Sequence, residues 1–242
     1  MNERDWDDVA GAWDEHIMSS LEENVNGSIA ALIASVAATH RSILDYGCGV
    51  GRYLPLLSAS FDQVVGADYS AKCVAQAQAL TRALPNVRVQ TTNQLARRSP
   101  GDRFDVVLMA NVLLHPRPSV RAKILDLALA RLKTGGVLLL LLPAIESVHL
   151  SEAVRRSHTR RRVSAYSRPA VAGAFDPGVI GINDQATKHY SAEEIPLLLQ
   201  GRRLTLSSLS RAEYSWSSES FDGLDRRIEV RPWDWLVSAT RR

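Results

Sequence analysis

The chain has 242 residues, 45% of them hydrophobic, which is enough to bury the core of one large α/β domain. Its formal net charge of +3 is small for a protein that must neutralise many phosphates, which argues against a nucleic-acid partner. Two cysteines cannot form a disulfide framework, and neither a signal peptide nor a membrane-spanning apolar run is recognisable, so we expect a soluble cytoplasmic protein.

The N-terminal part of the chain alternates helix-like and strand-like segments. Apolar residues recur at helical spacing over residues 21–38, which predicts an amphipathic helix. Residues 43–44 predict a short apolar strand that leads directly into a glycine-rich turn at residues 45–51. Residues 64–67 predict the next strand, and Ser70 is a suitable N-cap for the helix that follows.

The alternation continues through three more strands. Residues 87–90 and 104–109 predict the first two of them. A helix is predicted over residues 119–132, and we expect Gly135 to close it in a left-handed conformation. Residues 137–142 are entirely apolar, which predicts a strand buried on both faces.

Apolar strands separated by helices are typical of a parallel sheet covered on both faces. We therefore predict a doubly wound, mostly parallel α/β core over residues 41–143, preceded by a helical lid at residues 1–40. Residues 144–190 interrupt the alternation and lack a long apolar period, so we interpret them as an insertion or lid that shapes a pocket. Residues 191–242 are expected to complete the sheet.

The C-terminal segment begins with a helix signal and ends with two strands. Ser191 and Glu194 have the spacing of a capping box, which predicts a helix that stops at Gly201. The final strands are predicted near residues 204–209 and 233–239.

The glycine-rich turn and the acidic residue that follows the next strand predict a nucleoside site. Gly47, Gly49 and Gly51 allow the backbone to approach a ligand closely. Asp68 ends the next predicted strand, where its carboxylate can accept both hydroxyl hydrogens of a ribose. The third glycine of a dinucleotide fingerprint is replaced by Arg52, which disfavours a pyrophosphate ligand.

Residues 43–52 and 65–70 together closely resemble the first motifs of class I S-adenosylmethionine-dependent methyltransferases of the small-molecule type. The resemblance implies a Rossmann-like sheet of seven strands in which the last strand, around residues 233–237, runs antiparallel. It also implies S-adenosylmethionine as the cofactor. The residues implied to bind it are Trp13, Asp45, Gly47, Cys48, Gly49, Asp68, Tyr69, Asn93, Gln94 and Asn111.

The resemblance assigns different parts of the cofactor to different residues. Asp45 would face its methionine end, Asp68 would hold the ribose and Tyr69 would flank the adenine. Asn93 stands where the family usually has an acidic residue, and its side-chain oxygen can accept the same hydrogen bond from the adenine amino group. Asn111 follows the fourth strand, where the chain passes beneath the transferable methyl group.

A sulfonium methyl group is already activated, so the protein has to align an acceptor and exclude water, and a general base is optional. His16, His115 and His189 are the candidate catalytic bases, with His115 and His189 preferred, because a neutral imidazole can take a proton near physiological pH. A structural role is the alternative for each. The candidate acceptor-binding residues are His16, His115, His189, Tyr190, Tyr214 and Trp216.

Two further features bear on the acceptor. The fifth predicted strand ends at residues 141–144 without an oxygen-bearing side chain, so no metal is expected. Six arginines between Arg155 and Arg168 could bind an acidic small acceptor, follow a nucleic-acid backbone or form a solvated face.

The sequence therefore predicts methyl transfer to a nitrogen, oxygen or carbon of a small metabolite. A methyltransferase for RNA or protein and a catalytically inactive cofactor-binding protein are the alternatives. No motif indicates the oligomeric state.

Overall fold

A computed structural model of the chain describes residues 19–98, 102–158, 177–182, 185–219 and 228–242. The segment that carries Trp13 and His16 lies outside these residues, as do the arginines from Arg160 to Arg168. No helix of the described residues combines the length and the apolar character needed to cross a lipid bilayer.

The described residues alternate strands and helices over most of their length. The helices are α1 (Ser28–Ala37), α2 (Leu54–Ser60), α3 (Ala71–Leu80), α4 (Thr92–Ala96), α5 (Pro118–Leu129), α6 (Ile145–His158) and α7 (Glu194–Leu199). The strands are β1 (Ser42–Tyr46), β2 (Gln63–Asp68), β3 (Val87–Thr91), β4 (Phe104–Ala110), β5 (Leu132–Pro143), β6 (Val179–Ile182), β7 (Gln185–Lys188), β8 (Leu204–Glu213) and β9 (Trp233–Arg241). A short 3₁₀ helix follows β8 at Trp216–Glu219.

Seven of these strands form one sheet in the order β3-β2-β1-β4-β5-β9-β8. The pairings among β1 to β5 are parallel, whereas β9 runs antiparallel to both β5 and β8. The predicted doubly wound fold, including its antiparallel last strand, is confirmed. Strands β6 and β7 form a separate antiparallel hairpin.

Helices cover both faces of the sheet. On one face, Ile33 of α1 and Leu57 of α2 pack among buried side chains of the strands. On the other face, Leu125 of α5 and Ile195 of α7 pack in a second cluster. Successive strand residues point to opposite faces, so every central strand contributes side chains to both clusters. This is why the sequence of each central strand is a continuous apolar run.

The first helix is shorter than predicted. It begins at Ser28, and the preceding Gly27 has a left-handed φ of 64°. The side-chain oxygen of Asn24 accepts a hydrogen bond from the backbone N–H of Ile29 at 3.0 Å. Leu21, which has the right spacing for the helix, therefore lies in a turn that packs against the same apolar cluster.

Gly135 adopts the predicted left-handed conformation but does not close a helix. Helix α5 ends at Leu129, and Gly135 (φ 77°) lies inside β5, where the pairing with β4 shifts register. At its neighbour Gly136, a Cβ atom would lie 2.7 Å from the backbone oxygen of Asp105. Glycines in an irregular stretch of strand permit this close approach of two backbones.

The other predicted helix signals agree with the structure. The Ser70 side chain accepts a hydrogen bond from the backbone N–H of Cys73 at 3.1 Å, as an N-cap does. Ser191 and Glu194 exchange the two hydrogen bonds of a capping box, at 3.0 and 3.3 Å. The chain turns in a left-handed conformation at Gly201, just after α7.

Residues 144–190 contain a helix that the sequence analysis did not predict, α6, followed by the β6–β7 hairpin. The two ends of this segment meet, because Tyr190 donates its backbone N–H to Pro143 and accepts one from Ile145. Glu146 accepts hydrogen bonds from the backbone of Ala192 and the indole of Trp235. The segment therefore leaves and rejoins the sheet at one point.

The Gly136→Ala variant should have a lower free energy of unfolding, by about 1–3 kcal/mol, because the added methyl group must displace backbone atoms. Chemical denaturation measures this change. Gly201→Asn is the control, since a Cβ there meets no atom within 4 Å and asparagine tolerates the left-handed conformation. A Gly136→Ala protein as stable as this control would contradict the packing described.

Candidate active site

The glycine turn after β1 is shaped by three residues with positive φ. Gly47, Gly49 and Gly51 have φ values of 84°, 53° and 91°. A Cβ on Gly47 would lie 2.5 Å from Cγ2 of Val112, in the loop after β4. The turn therefore depends on glycine both for its conformation and for its contact with the neighbouring loop.

Asp68, at the end of β2, lies directly beside this turn. Its Oδ2 accepts a hydrogen bond from the backbone N–H of Gly49, and its Oδ1 accepts one from that of Ser70, both at 2.9 Å. Only 7% of the residue is exposed. The carboxylate is thus held in a fixed orientation at the carboxyl edge of the sheet, and Tyr69 next to it is half-buried.

Asp45 is a buried carboxyl group in β1, one residue from its end. It is 1% exposed, and its Oδ2 has no hydrogen-bond partner among the described residues. Burial, and then the nearby charge of Asp68, raise the pKa of Asp45 to about 7. Such a group is unfavourable to bury without a donor, which points to a ligand that supplies one.

Asn111 follows β4 in a left-handed conformation, with φ at 55°. Its backbone N–H donates to Leu141 in β5 at 3.0 Å, and its side-chain Nδ2 donates to Oδ2 of Asp234 at 3.3 Å. Its side-chain oxygen is buried without a hydrogen-bond partner among the described residues. A strained non-glycine residue with an unsatisfied buried atom is typical of a functional site.

Asp234 is a functional candidate that the sequence analysis missed. It is 8% exposed, lies near the start of β9 and also accepts a hydrogen bond from the hydroxyl of Tyr214 at 2.9 Å. Burial, and then the charge of Asp234, raise the pKa of the Tyr214 hydroxyl well above its usual value. The available signal was a single carboxylate between Trp233 and Trp235 in an otherwise apolar strand.

Tyr53 is a second residue that sequence reasoning missed. It is buried just before α2, and its hydroxyl lies 2.8 Å from Oγ of Ser20. Its pKa is raised, first by burial and then by the charges of Asp45 and Asp234. Tyr53 is therefore close enough to both carboxylates to be affected by each. Nothing in its spacing along the chain distinguishes it from a core residue.

A family model described as a methyltransferase domain matches residues 21–199. The chain belongs to this family. The match spans most of the sequence and includes the glycine turn, Asp68 and Asn111. The predicted methyltransferase is thereby confirmed. Curated proteins give no match to the sequence.

Solved methyltransferase structures share the fold of this family member. The DhpI complex with S-adenosylhomocysteine has a TM-score of 0.60 at 18% identity, covering 99% of this chain and 94% of DhpI. Magnesium protoporphyrin IX methyltransferase (ChlM) from Synechocystis PCC 6803 has a TM-score of 0.56 at 16% identity, with 93% and 89% covered. The N-methyltransferase NodS from Bradyrhizobium japonicum WM9 has a TM-score of 0.56 at 14% identity, with 91% and 90% covered.

The two residues predicted to read the adenine of this methyltransferase's cofactor lie at the start of α4. Gln94 accepts a hydrogen bond from the backbone N–H of Thr91 at 2.8 Å, and its own N–H donates to the Thr91 hydroxyl. These contacts form a capping box, which engages the side-chain oxygen of Gln94. Asn93 is exposed beside it. Asn93 is therefore the better candidate for a ligand contact, and both assignments stay predictions.

His115, predicted as a base, lies in the loop after β4. Its Nδ1 accepts a hydrogen bond from the backbone N–H of Arg117 at 3.0 Å, so the neutral ring carries its proton on Nε2. Burial, and then nearby positive charges that include Arg117 and Arg121, lower its pKa. In this arrangement His115 can donate a hydrogen bond but has no lone pair available to accept a proton.

His189 and Tyr190 lie where β7 returns to the sheet. His189 is 5% exposed, with its Nδ1 3.3 Å from the backbone oxygen of Thr187, and burial lowers its pKa to about 4. The ring is therefore neutral at physiological pH and a weak base. Tyr190 donates its hydroxyl hydrogen to the backbone oxygen of Leu113 at 2.7 Å, directly beside the loop after β4.

Trp216 belongs to a small apolar cluster of its own. It is completely buried, packs with Val154 and Ile228, and donates its indole N–H to Val230 at 3.0 Å. Its role in the acceptor pocket stays a prediction. Cys48 is buried in the glycine turn, and its Sγ lies close to Gly66.

The described residues contain no group of three or more His, Cys, Asp or Glu side chains arranged to hold a metal ion.

The raised pKa of Asp45 makes a prediction about stability. Its value is about 7 in the folded chain against an ordinary 3.8, so this group's contribution to stability is fully present below pH 3.8 and is lost as the pH rises towards 7. Asp45→Asn removes this loss. As the pH is raised from about 4.5 to about 8, the unfolding free energy of the variant relative to wild type should therefore increase by roughly 2–4 kcal/mol.

Urea denaturation at both pH values measures this gain. Asp62→Asn is the matched control, because it makes the same substitution at a side chain that is 72% exposed. A constant difference between Asp45→Asn and wild type across the pH range would contradict the perturbed carboxyl group.

Proposed function

We propose that this methyltransferase transfers a methyl group from S-adenosylmethionine to a small-molecule acceptor. The observation that carries the proposal is the buried, unpartnered Oδ2 of Asp45 beside the glycine turn. The fold adds support, since DhpI and NodS, which share it, were each solved with S-adenosylhomocysteine.

The residues at the carboxyl edge of the sheet fit this cofactor. Asp45 offers an unsatisfied acceptor atom to the amino group of the methionine end. Asp68 is already oriented by two backbone N–H groups, so its carboxylate can bind the ribose hydroxyls without reorganising. Tyr69 and Asn93 follow along the same edge, on the side where the adenine would lie.

S-adenosylmethionine supplies a methyl carbon on a sulfonium: the acceptor's lone pair bonds to that carbon while the carbon–sulfur bond breaks and leaves its electron pair on sulfur. The protein contributes alignment and the exclusion of water. Asn111, Tyr214 and Asp234 form one hydrogen-bonded network at the carboxyl edge of the sheet and can position the acceptor.

The enclosed character of this network supports a small acceptor. Tyr53, Tyr214 and Asp234 are each no more than 8% exposed, so a folded macromolecule has little side-chain surface to bind there. We also propose that the segment of residues 144–190 covers the site, because it starts and ends beside the loop after β4. Helix α1, the described helix of the predicted N-terminal lid, packs on a face of the sheet instead. Buried cysteines that form no disulfide, such as Cys48 and Cys73, suit the reducing cytoplasm.

Asp68→Ala should weaken the binding of S-adenosylhomocysteine by roughly tenfold to a hundredfold, because charge-assisted hydrogen bonds to the ribose are lost. Isothermal titration calorimetry measures the affinity. Asp62→Ala is the matched control, since this exposed aspartate precedes β2 at the opposite edge of the sheet. Equal affinities for wild type and Asp68→Ala would overturn the ribose assignment.

Methyl transfer itself is tested with labelled S-adenosylmethionine and a cell extract divided into small-molecule and macromolecular fractions. We expect label in the small-molecule fraction with wild type and much less with Asp68→Ala. Label confined to RNA or protein would replace this proposal with a macromolecular methyltransferase. Cofactor binding without label in either fraction would instead indicate a cofactor-binding protein without catalysis.

A further inference from the structure

The register of the sheet brings the carboxylates of Asp45 and Asp234 onto one face. Asp45 in β1 pairs with Leu108 of β4, two residues before Ala110. Ala110 pairs in turn with Leu141 of β5. Two residues further along β5, Pro143 pairs with Asp234 of β9. Registered partners share a face, and so do residues two apart in one strand. Asp45, Ala110 and Asp234 therefore lie on the same face, near its carboxyl edge.

Asp234 is held in place by donors on two other elements. The hydroxyl of Tyr214, just after β8, and the amide of Asn111, just after β4, both donate to its Oδ2, at 2.9 and 3.3 Å. Tyr214 is fixed in turn by its backbone, which donates to Pro232 and bridges to Asn24. The carboxylate thus has a defined position in a buried site.

This region also contains two buried acceptor atoms that lack a hydrogen bond among the described residues. They are Oδ2 of Asp45, which is 1% exposed, and the side-chain oxygen of Asn111. Both belong to residues at the carboxyl edge, and Asn111 contacts Asp234 directly. Since these two acceptors lack a donor among the described residues, a complementary ligand is one that brings N–H or O–H groups.

The charges of the described residues that act on Tyr53 and Tyr214 are negative. After burial, the groups that raise the pKa of Tyr53 are Asp45 and Asp234, and those that raise the pKa of Tyr214 are Asp234 and Tyr53. Arg155 and Arg156, the described members of the arginine cluster, lie 3.7 and 3.9 Å from Glu152 within α6. A cationic nitrogen suits such surroundings better than a second carboxylate does.

We infer that Asp234, held by Tyr214 and Asn111, binds the methyl acceptor, and that the acceptor presents an amine nitrogen to it. This inference rests on the proposed function. The amine reacts in its neutral form, its ammonium proton having been released to water; it donates an N–H to the carboxylate, its lone pair bonds to the methyl carbon as the carbon–sulfur bond breaks, and the product leaves as an ammonium ion. The same carboxylate stabilises the positive charge that develops on nitrogen as the new bond forms. Asp234 thus selects nitrogen over an acidic acceptor.

Three ligands that differ at the point of transfer test the inference. S-adenosylhomocysteine has a neutral thioether there, S-adenosylmethionine a cation without N–H groups, and sinefungin an amine-bearing carbon. Calorimetry on the full chain should show sinefungin binding to wild type at least roughly tenfold more tightly than S-adenosylhomocysteine. In Asp234→Asn this preference should fall to about twofold or less, with the affinity for S-adenosylhomocysteine nearly unchanged.

Tyr214→Phe is the matched control, because it removes a hydrogen bond to Asp234 but keeps the carboxylate. It should retain most of the preference for sinefungin. Equal affinities of wild type for sinefungin and S-adenosylhomocysteine would overturn the inference even if Asp234→Asn failed to fold. If Asp234→Asn weakened the binding of S-adenosylmethionine and sinefungin equally, the inference would also be overturned. Asp234 would then interact with the positive charge of the sulfonium and not with an amine N–H.

The same measurements separate this inference from the proposed function. If wild type bound none of the three ligands, the proposed function itself would fail. If it bound all three without preferring the amine, the methyl donor site would stand and only the amine acceptor would be wrong.

Discussion

The contact between the glycine turn and the loop after β4 is the constraint on which the site depends. Because Gly47 has no Cβ, Val112 can pack against the turn, and no larger residue leaves room for it. This contact joins the turn after β1 to the loop after β4 at the carboxyl edge of the sheet. Asp45 and Asp68 on one side and Asn111 on the other are thereby fixed relative to one another before any ligand binds.

This preorganised site contains buried negative charge, which is unfavourable for folding. Asp45 is close enough to Asp68 for their charges to interact, and Asp234 lies on the same face, where its Oδ2 accepts hydrogen bonds from the neutral side chains of Tyr214 and Asn111. Buried carboxylates destabilise a fold unless something compensates them. A positively charged ligand does so, which explains how the same residues can be unfavourable for folding and favourable for binding.

Sequence reasoning succeeded where the signal is local. The glycine turn, Asp68 and the Ser70 cap depend on neighbours within a few residues, and the continuous apolar strands reveal a sheet covered on both faces. Asp234 and Tyr53 could not be found in this way, because Asp234 reaches the site only through the pairing of β9 with β5. Gly135 was assigned to a helix end because the irregular pairing of β4 with β5 leaves no local signal.

The geometry of the histidines shifts the chemical interpretation from base catalysis to positioning. Nδ1 of His115 is engaged by a backbone N–H, and burial keeps His189 neutral, with a pKa of about 4. An amine acceptor that has released its ammonium proton to water needs no strong base in the site, because its neutral form carries the reactive lone pair. What it needs is a fixed direction of approach and a nearby negative charge, and Asp234 provides both through its hydrogen bonds to Tyr214 and Asn111.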